Sequence, residues 1–219
     1  MFTSAHSARR QTATAAGPKH TWRRGLTAVA VTLAGSVAAL TLTATAAQAD
    51  TSDVRITNLR SGLNADVIWA STAEYQGVFL WPTNGSASQK YDLLDSGGGY
   101  FRIRARHSGQ CLMLDWRQGN YNGTQIIQYP YCSAGYSPGE WRRGWVSYPP
   151  QCSGNVCSSN GTQYPVLINR FSGRCLDARN GSSAPPPAQA ILQQWDCIRW
   201  ASDWNAGNQL WRIGNEYYL

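Results

Sequence analysis

The sequence predicts an all-β domain in which three equivalent segments share one core. Three observations carry that expectation: short alternating strands with no long helical period, turn residues at close intervals, and an internal repeat. Each segment opens with a strand that runs into a Ser-Gly turn, at 56–62, 103–109 and 167–173. The turns lead into Leu63-Asn64-Ala65-Asp66, Gln110-Cys111-Leu112-Met113 and Arg174-Cys175-Leu176-Asp177. An apolar, alternating strand ending near an aromatic follows in each, at 77–81, 124–129 and 190–195. A third agreement is a Gln-x-aromatic position: Gln89-Lys90-Tyr91, Arg143-Gly144-Trp145 and Gln209-Leu210-Trp211. The aromatics Tyr91, Trp145 and Trp211 are expected in the core. No such segment alone can bury its apolar face, so the three must close together as a threefold β-barrel.

Between the strands, Asn84-Gly85, Asn122-Gly123, Asn160-Gly161 and Asn180-Gly181 mark tight turns. All four also fit the N-x-Ser/Thr pattern, but the turn role already accounts for them. The third segment starts late because of a Pro-, Gly-, Ser- and Asn-rich insertion at about 147–162. Cys152 and Cys157 are expected to close it as a local surface loop within one domain. The predicted organisation is a leader at 1–49 and a single domain at 50–219, with repeats at about 53–98, 99–149 and 163–219.

The leader reads as an export signal. Arg9, Arg10, Lys19, Arg23 and Arg24 precede an apolar run from Gly25 to Leu42, which closes on Ala47-Gln48-Ala49. Its Thr, Ser and Gly content and the small-x-small site favour removal over a membrane anchor. The expected product is secreted, with no membrane span once the leader is gone. Removal takes five of the 19 basic residues and none of the 12 acidic ones, leaving 14 against 12, a net +2. The concentrated basic face that nucleic acid or an anionic membrane would need is therefore not expected. Six cysteines behind an export signal imply three disulfides. With His107 as the one histidine left, and no paired C-x-x-C motifs, neither a metal site nor a cofactor is expected.

Taken together, the Ser-Gly turns, the Cys positions and the Gln-x-aromatic motif resemble the ricin-B-type lectin family, over about 53–215. The resemblance implies a β-trefoil and disulfides Cys111–Cys132 and Cys175–Cys197. The first repeat has Asn64 and Thr83 at the two Cys positions, so packing alone is expected to hold it. The resemblance also implies a carbohydrate partner, a mono- or polysaccharide of galactose or xylose type, and a monomer is expected. Its sugar-site pattern maps completely onto the third repeat: Asp177, Gln193, Trp195, Asn208 and Gln209. The chemistry fits these types. A flat aromatic covers the apolar face of a pyranose, a carboxylate accepts from its hydroxyls, and amides both donate and accept.

A possible second site in the first repeat keeps Asp66, Trp81 and Gln89, but has Phe79 for the strand Gln and Ser88 for the Asn. In the second repeat Met113 stands at the Asp position and Pro130 at the stacking position, with Arg142-Arg143 for Asn-Gln. It is expected to be scaffold, although Asp115, Tyr129 and Tyr131 lie close by. No catalytic residues are expected: a single histidine sits in a repeat start, and Asp66 and Asp177 are threefold-related and too far apart for an acid/base pair. The other reading of the same chain is a β-trefoil protein-binding or protease-inhibitory scaffold, presenting the Cys152 to Cys157 loop.

Overall fold

The computed structural model describes residues 50–158, 161–180, 184–203 and 205–214, and the leader at 1–49 lies outside them. The first repeat holds β1 (Thr51–Val54), β2 (Ile56–Asn58), β3 (Asn64–Val67), β4 (Val78–Trp81) and β5 (Tyr91–Gly97). The second holds β6 (Tyr100–Ala105), β7 (Cys111–Leu114), β8 (Ile126–Tyr129) and β9 (Glu140–Ser147). A hairpin, β10 (Gln151–Ser153) with β11 (Val156–Ser158), precedes the third repeat. That repeat comprises β12 (Gln163–Asn169), β13 (Cys175–Ala178), β14 (Leu192–Trp195), the short α1 (Ala206–Gln209) and β15 (Trp211–Ile213).

The first and last strands of the repeats close a barrel. Antiparallel pairs run β15–β2, β1–β5, β5–β6, β6–β9 and β9–β12, and β12 packs beside β15. The middle strands form three hairpins, β3–β4, β7–β8 and β13–β14, that cap one end. Bridges Gly77↔Ile127, Gln125↔Gln193 and Phe79↔Ile191 join the caps at equivalent positions, which makes the threefold pseudosymmetry explicit. The molecule is a β-trefoil.

One apolar core draws on all three repeats: Ile56, Leu80, Tyr91, Ile103, Leu114, Trp141, Leu167, Leu192 and Trp211 are all within it. Strand β6 shows why the sequence folds so, since Phe101, Ile103 and Ala105 point inward while their neighbours are half-exposed. Each Ser-Gly turn needs a left-handed residue, and Gly62, Gly109 and Gly173 hold φ of +70°, +72° and +70°. Two buried asparagines pin these turns: Asn58 Oδ1 accepts from the N–H of Ser61 at 3.0 Å, and Asn169 Oδ1 from that of Phe171 at 3.1 Å.

Three expectations change. The second-repeat core aromatic is Trp141, 1% exposed, while Trp145 is 51% exposed. Trp141 Nε1 donates to the Leu112 carbonyl at 3.1 Å as Trp211 Nε1 donates to that of Leu176 at 2.9 Å. The motif there is therefore Gly139-Glu140-Trp141, not Arg143-Gly144-Trp145, and the Asn and Gln positions fall on Pro138 and Gly139 in place of Arg142 and Arg143. Second, Tyr129 opposes Cys111 just as Trp195 opposes Cys175, so Tyr129 and not Pro130 holds the stacking position. Third, the first repeat does not rely on packing alone. Asn64 Nδ2 donates to Thr83 Oγ1 at 2.7 Å and Asn64 Oδ1 accepts from Thr57 Oγ1 at 2.7 Å, which ties the positions that disulfides join elsewhere. Those disulfides are Cys111–Cys132 and Cys175–Cys197. In the inserted hairpin Cys152 faces Cys157 in register, and the Cys157 side chain lies outside the described residues.

Candidate functional site

Strand register builds the third-repeat site. Asp177 on β13 pairs with Gln193 on β14, and two residues along, Cys175 pairs with Trp195. Side chains of the two strands that share a register position share a face. Gln193 Nε2 accordingly donates to Asp177 Oδ1 at 2.9 Å. The turn of α1 delivers Asn208 and Gln209 to the same place, and Gln209 Nε2 donates to Asp177 Oδ2 at 3.1 Å. Both carboxylate oxygens are thus held by amide donors, in a residue only 2% exposed. Burial pushes the Asp177 carboxyl up to about 6, against the opposing pull of Gln193, Gln209 and the nearby Arg179.

Beside this buried acid stands Trp195, 37% exposed. Together they line a cleft of about 320 Å³ with Gln193, Asn208, Gly123, Arg179 and Asn205. Asn208 is 4% exposed, and its Oδ1 is buried without a hydrogen-bond partner among the described residues. Asn208 nonetheless lines the cleft, so its side chain adds a polar group to the wall.

Four of the five residues singled out in the sequence, Asp177, Gln193, Trp195 and Asn208, therefore line one cleft. Gln209 is fully buried behind them. Its Oε1 accepts from the Ile198 N–H at 3.0 Å and its Nε2 also donates to the Asp196 carbonyl at 3.1 Å, so it braces the acid and the loop after β14.

Sequence reasoning missed Gly123, Arg179 and Asn205. Arg179 Nε donates to Gln193 Oε1 at 3.0 Å, orienting the amide that orients the acid. Gly123 belongs to the second repeat and reaches across, its N–H donating to the Gln194 carbonyl at 2.9 Å. With φ of +93°, and with a side chain there directed at Gln193 and Trp195, this position suits glycine. Its neighbour Asn122 locks the loop in place, donating to Asp196 at 2.8 Å and accepting from the Asp196 N–H and from Arg174 at 2.9 Å each.

The first-repeat counterpart is a smaller cleft of about 160 Å³, lined by Asp66, Trp81, Ser88, Phe79, Trp69 and Asn84 among others. Gln89 Nε2 donates to Asp66 Oδ2 at 2.9 Å, but Phe79 in the strand-Gln position offers the acid no amide. Trp81 stacks on Phe79 at 5.4 Å and Trp69 stands tilted at 6.0 Å from Phe79, so this cleft is more aromatic. In the second repeat Met113 fills the acid position, and a Cβ added at Gly139 would lie 3.5 Å from its Cε. Asp115 there is held by Arg117 at 2.7 and 3.0 Å, and Tyr129 is packed between Tyr75 and Trp116. Among the described residues no group of three His, Cys, Asp or Glu is placed to hold a metal ion.

Comparison with known proteins adds to this geometry. Residues 40–129 match the family model for a ricin-type beta-trefoil lectin domain-like region. Among solved structures, a designed threefold-symmetric protein, ThreeFoil, is 29% identical over 74% of this chain and 98% of its own, with a TM-score of 0.57. An exo-β-1,3-galactanase from Clostridium thermocellum is 27% identical over 75% of this chain, with a TM-score of 0.55, and only 30% of that enzyme is spanned. A ricin B-like lectin from Macrolepiota procera, solved with lactose, shares the fold at 16% identity and a TM-score of 0.52, over 77% of this chain and 99% of its own. No curated protein sequence matches the chain.

Proposed function

Starting from a ricin-type, lectin-like β-trefoil, we propose that this protein binds carbohydrate without chemically changing it, through the third-repeat cleft. The observation that carries the reading is Asp177, buried, held at both oxygens by Gln193 and Gln209, and set beside the exposed Trp195 in one cleft with Asn208. Such a carboxylate accepts from two ring hydroxyls while the indole covers the C–H face, with galactose- or xylose-type sugars as the expected class. Among the described residues Asp177 is the single carboxylate lining this cleft, which favours binding over acid/base hydrolysis. The protein is proposed to act after export, as one monomeric binding domain from residue 50 onward.

A glycan array on the chain lacking residues 1–49, followed by calorimetry on the best sugar, tests the reading. Binding at affinities near 1 mM, equivalent to about −4 kcal/mol, is expected for a monosaccharide in one shallow site. Asp177→Ala should abolish it and Trp195→Ala should weaken it by about tenfold or more. Binding that survives both substitutions, or no glycan binding alongside tight capture of a protease, would replace this reading with the inhibitory-scaffold one.

A further inference from the structure

A second cleft, of about 350 Å³, lies against the first, and Trp195 and Asn205 line both. Its remaining wall is the loop that follows β14, including Asp196, Arg199 and Asp203. We propose that this second cleft is an adjoining subsite, so that the protein engages at least two consecutive sugar units of an oligosaccharide across Trp195. The inference rests on the carbohydrate reading of the first cleft.

The wall of the second cleft is fixed in advance of any ligand. Cys197 is bonded to Cys175 on β13. One oxygen of Asp203 accepts from the N–H groups of Arg199 at 2.7 Å and Trp200 at 2.9 Å, which closes the loop on itself. Ala201 N–H donates to the Ser147 carbonyl at 2.9 Å and so anchors the loop to β9. Gln209 holds Asp177 in the first cleft and the Ile198 N–H behind the second, so one buried amide sets the position of both walls. A pre-formed wall spares a ligand the ordering of a loop.

The chemistry of the two clefts differs in a way that suits consecutive units. The first has a buried acid and buried amides, which select one hydroxyl pattern. The second presents the exposed Arg199, whose guanidinium lies 5.4 Å from the Trp200 ring and forms no ion pair among the described residues. Its N–H donors suit the hydroxyl oxygens of a neighbouring ring without demanding one stereochemistry. Each cleft by itself is at the lower end of ligand-pocket sizes, about 300 Å³. Both are lined by the exposed Trp195 and by Asn205, so a chain leaving the first cleft past the indole meets the second.

Calorimetry on the chain lacking residues 1–49 tests this with galactose against β-1,3-linked galactobiose and galactotriose, and with xylose against xylobiose and xylotriose. In the series that binds, the trisaccharide should bind about tenfold more tightly than the monosaccharide. Arg199→Ala should weaken trisaccharide binding by about three- to tenfold while leaving the monosaccharide unchanged, the loss of one hydrogen-bonding partner. Equal affinities for the monosaccharide and trisaccharide, or an Arg199→Ala protein that binds both as wild type does, overturns the subsite and leaves the first cleft standing. No binding of any of these sugars, with none on the array, overturns both.

Discussion

Met113 in the second repeat and Asp177 in the third occupy the same place in the same hairpin, each essentially removed from water. Around Met113 the facing residue on β8 is Ile127 and the position after the hairpin is Gly139, close enough for apolar contact. Around Asp177 the same two places hold Gln193 and Gln209, each with its amide on the carboxylate. The second repeat shows that this backbone closes perfectly well on an apolar plug. The polar triad of the third repeat is therefore not a requirement of the fold, and its two amides are complementary to an acid that is itself unfavourable to bury. That contrast is the strongest reason to place function in one third of a pseudosymmetric molecule.

The contrast can be broken most severely by Met113→Asp, which puts a buried acid opposite Ile127 with no amide to meet it. The expected loss is about 3–5 kcal/mol, the scale of an uncompensated buried charge, measured by chemical denaturation at neutral pH. Adding Ile127→Gln and Gly139→Gln should recover part of that loss by rebuilding the third-repeat triad. No recovery would mean that the amides of Gln193 and Gln209 matter less to Asp177 than the geometry implies.

A second contrast concerns how each hairpin is tied. Cys175–Cys197 crosslinks the third, while Asn64 and Thr83 join the first by one hydrogen bond. Replacing both cysteines by Ala should cost about 3 kcal/mol, from the entropy regained by the open loop. Asn64→Ala should cost about 1–2 kcal/mol, because it also strips Thr57 of its acceptor. Paired denaturation curves check the ranking, and equal losses would show that the first repeat depends on its hydrogen bond as much as the third does on its covalent bond.

The asymmetry was partly legible in the sequence, for physical reasons. Asp177, Gln193 and Trp195 lie on strands whose alternation fixes which side chains share a face, so their spacing already implied a common wall. Trp141 was masked because Gly139 replaces the motif's Gln, and Trp145, four residues on, offered a false register. Tyr129 was displaced from the stacking position by the one extra residue before Cys132. Gly123 and Asn205 were out of reach, since they arrive from a neighbouring repeat and from a loop with no period. The Asn64–Thr83 bond was missed because two polar residues carry no pairing signal comparable to two cysteines.

The two acid-bearing repeats can be separated by their indoles. Trp195 is open to the cleft, whereas Trp81 is stacked on Phe79. Trp195→Ala should weaken sugar binding by about tenfold or more through lost stacking area. Trp81→Ala should change total binding by less, because its ring is already committed within the protein. Calorimetry and thermal melts on both variants decide it. A larger binding defect from Trp81 would move the principal site to the first repeat.

The gentlest probe is pH, because Asp177 titrates near neutrality and Met113 has nothing to titrate. With its carboxyl pushed up to about 6 by burial, Asp177 is largely ionised at pH 7 and largely protonated two units lower. Sugar hydroxyls donate to the ionised form, so affinity should be full above about 6 and fall as pH drops through it, by up to about tenfold per unit. Stability should run the other way. A folded-state value above the ordinary 3.8 means that the group's stabilising contribution is fully present below 3.8 and is lost as pH rises through about 6. Between those limits the fold should be firmer and the grip on sugar weaker. Asp177→Asn should flatten both dependences at once. Calorimetry and melts across this window test the pair of slopes, and a wild-type affinity that stays level while stability falls would mean that the carboxylate shapes the cleft without accepting from the sugar.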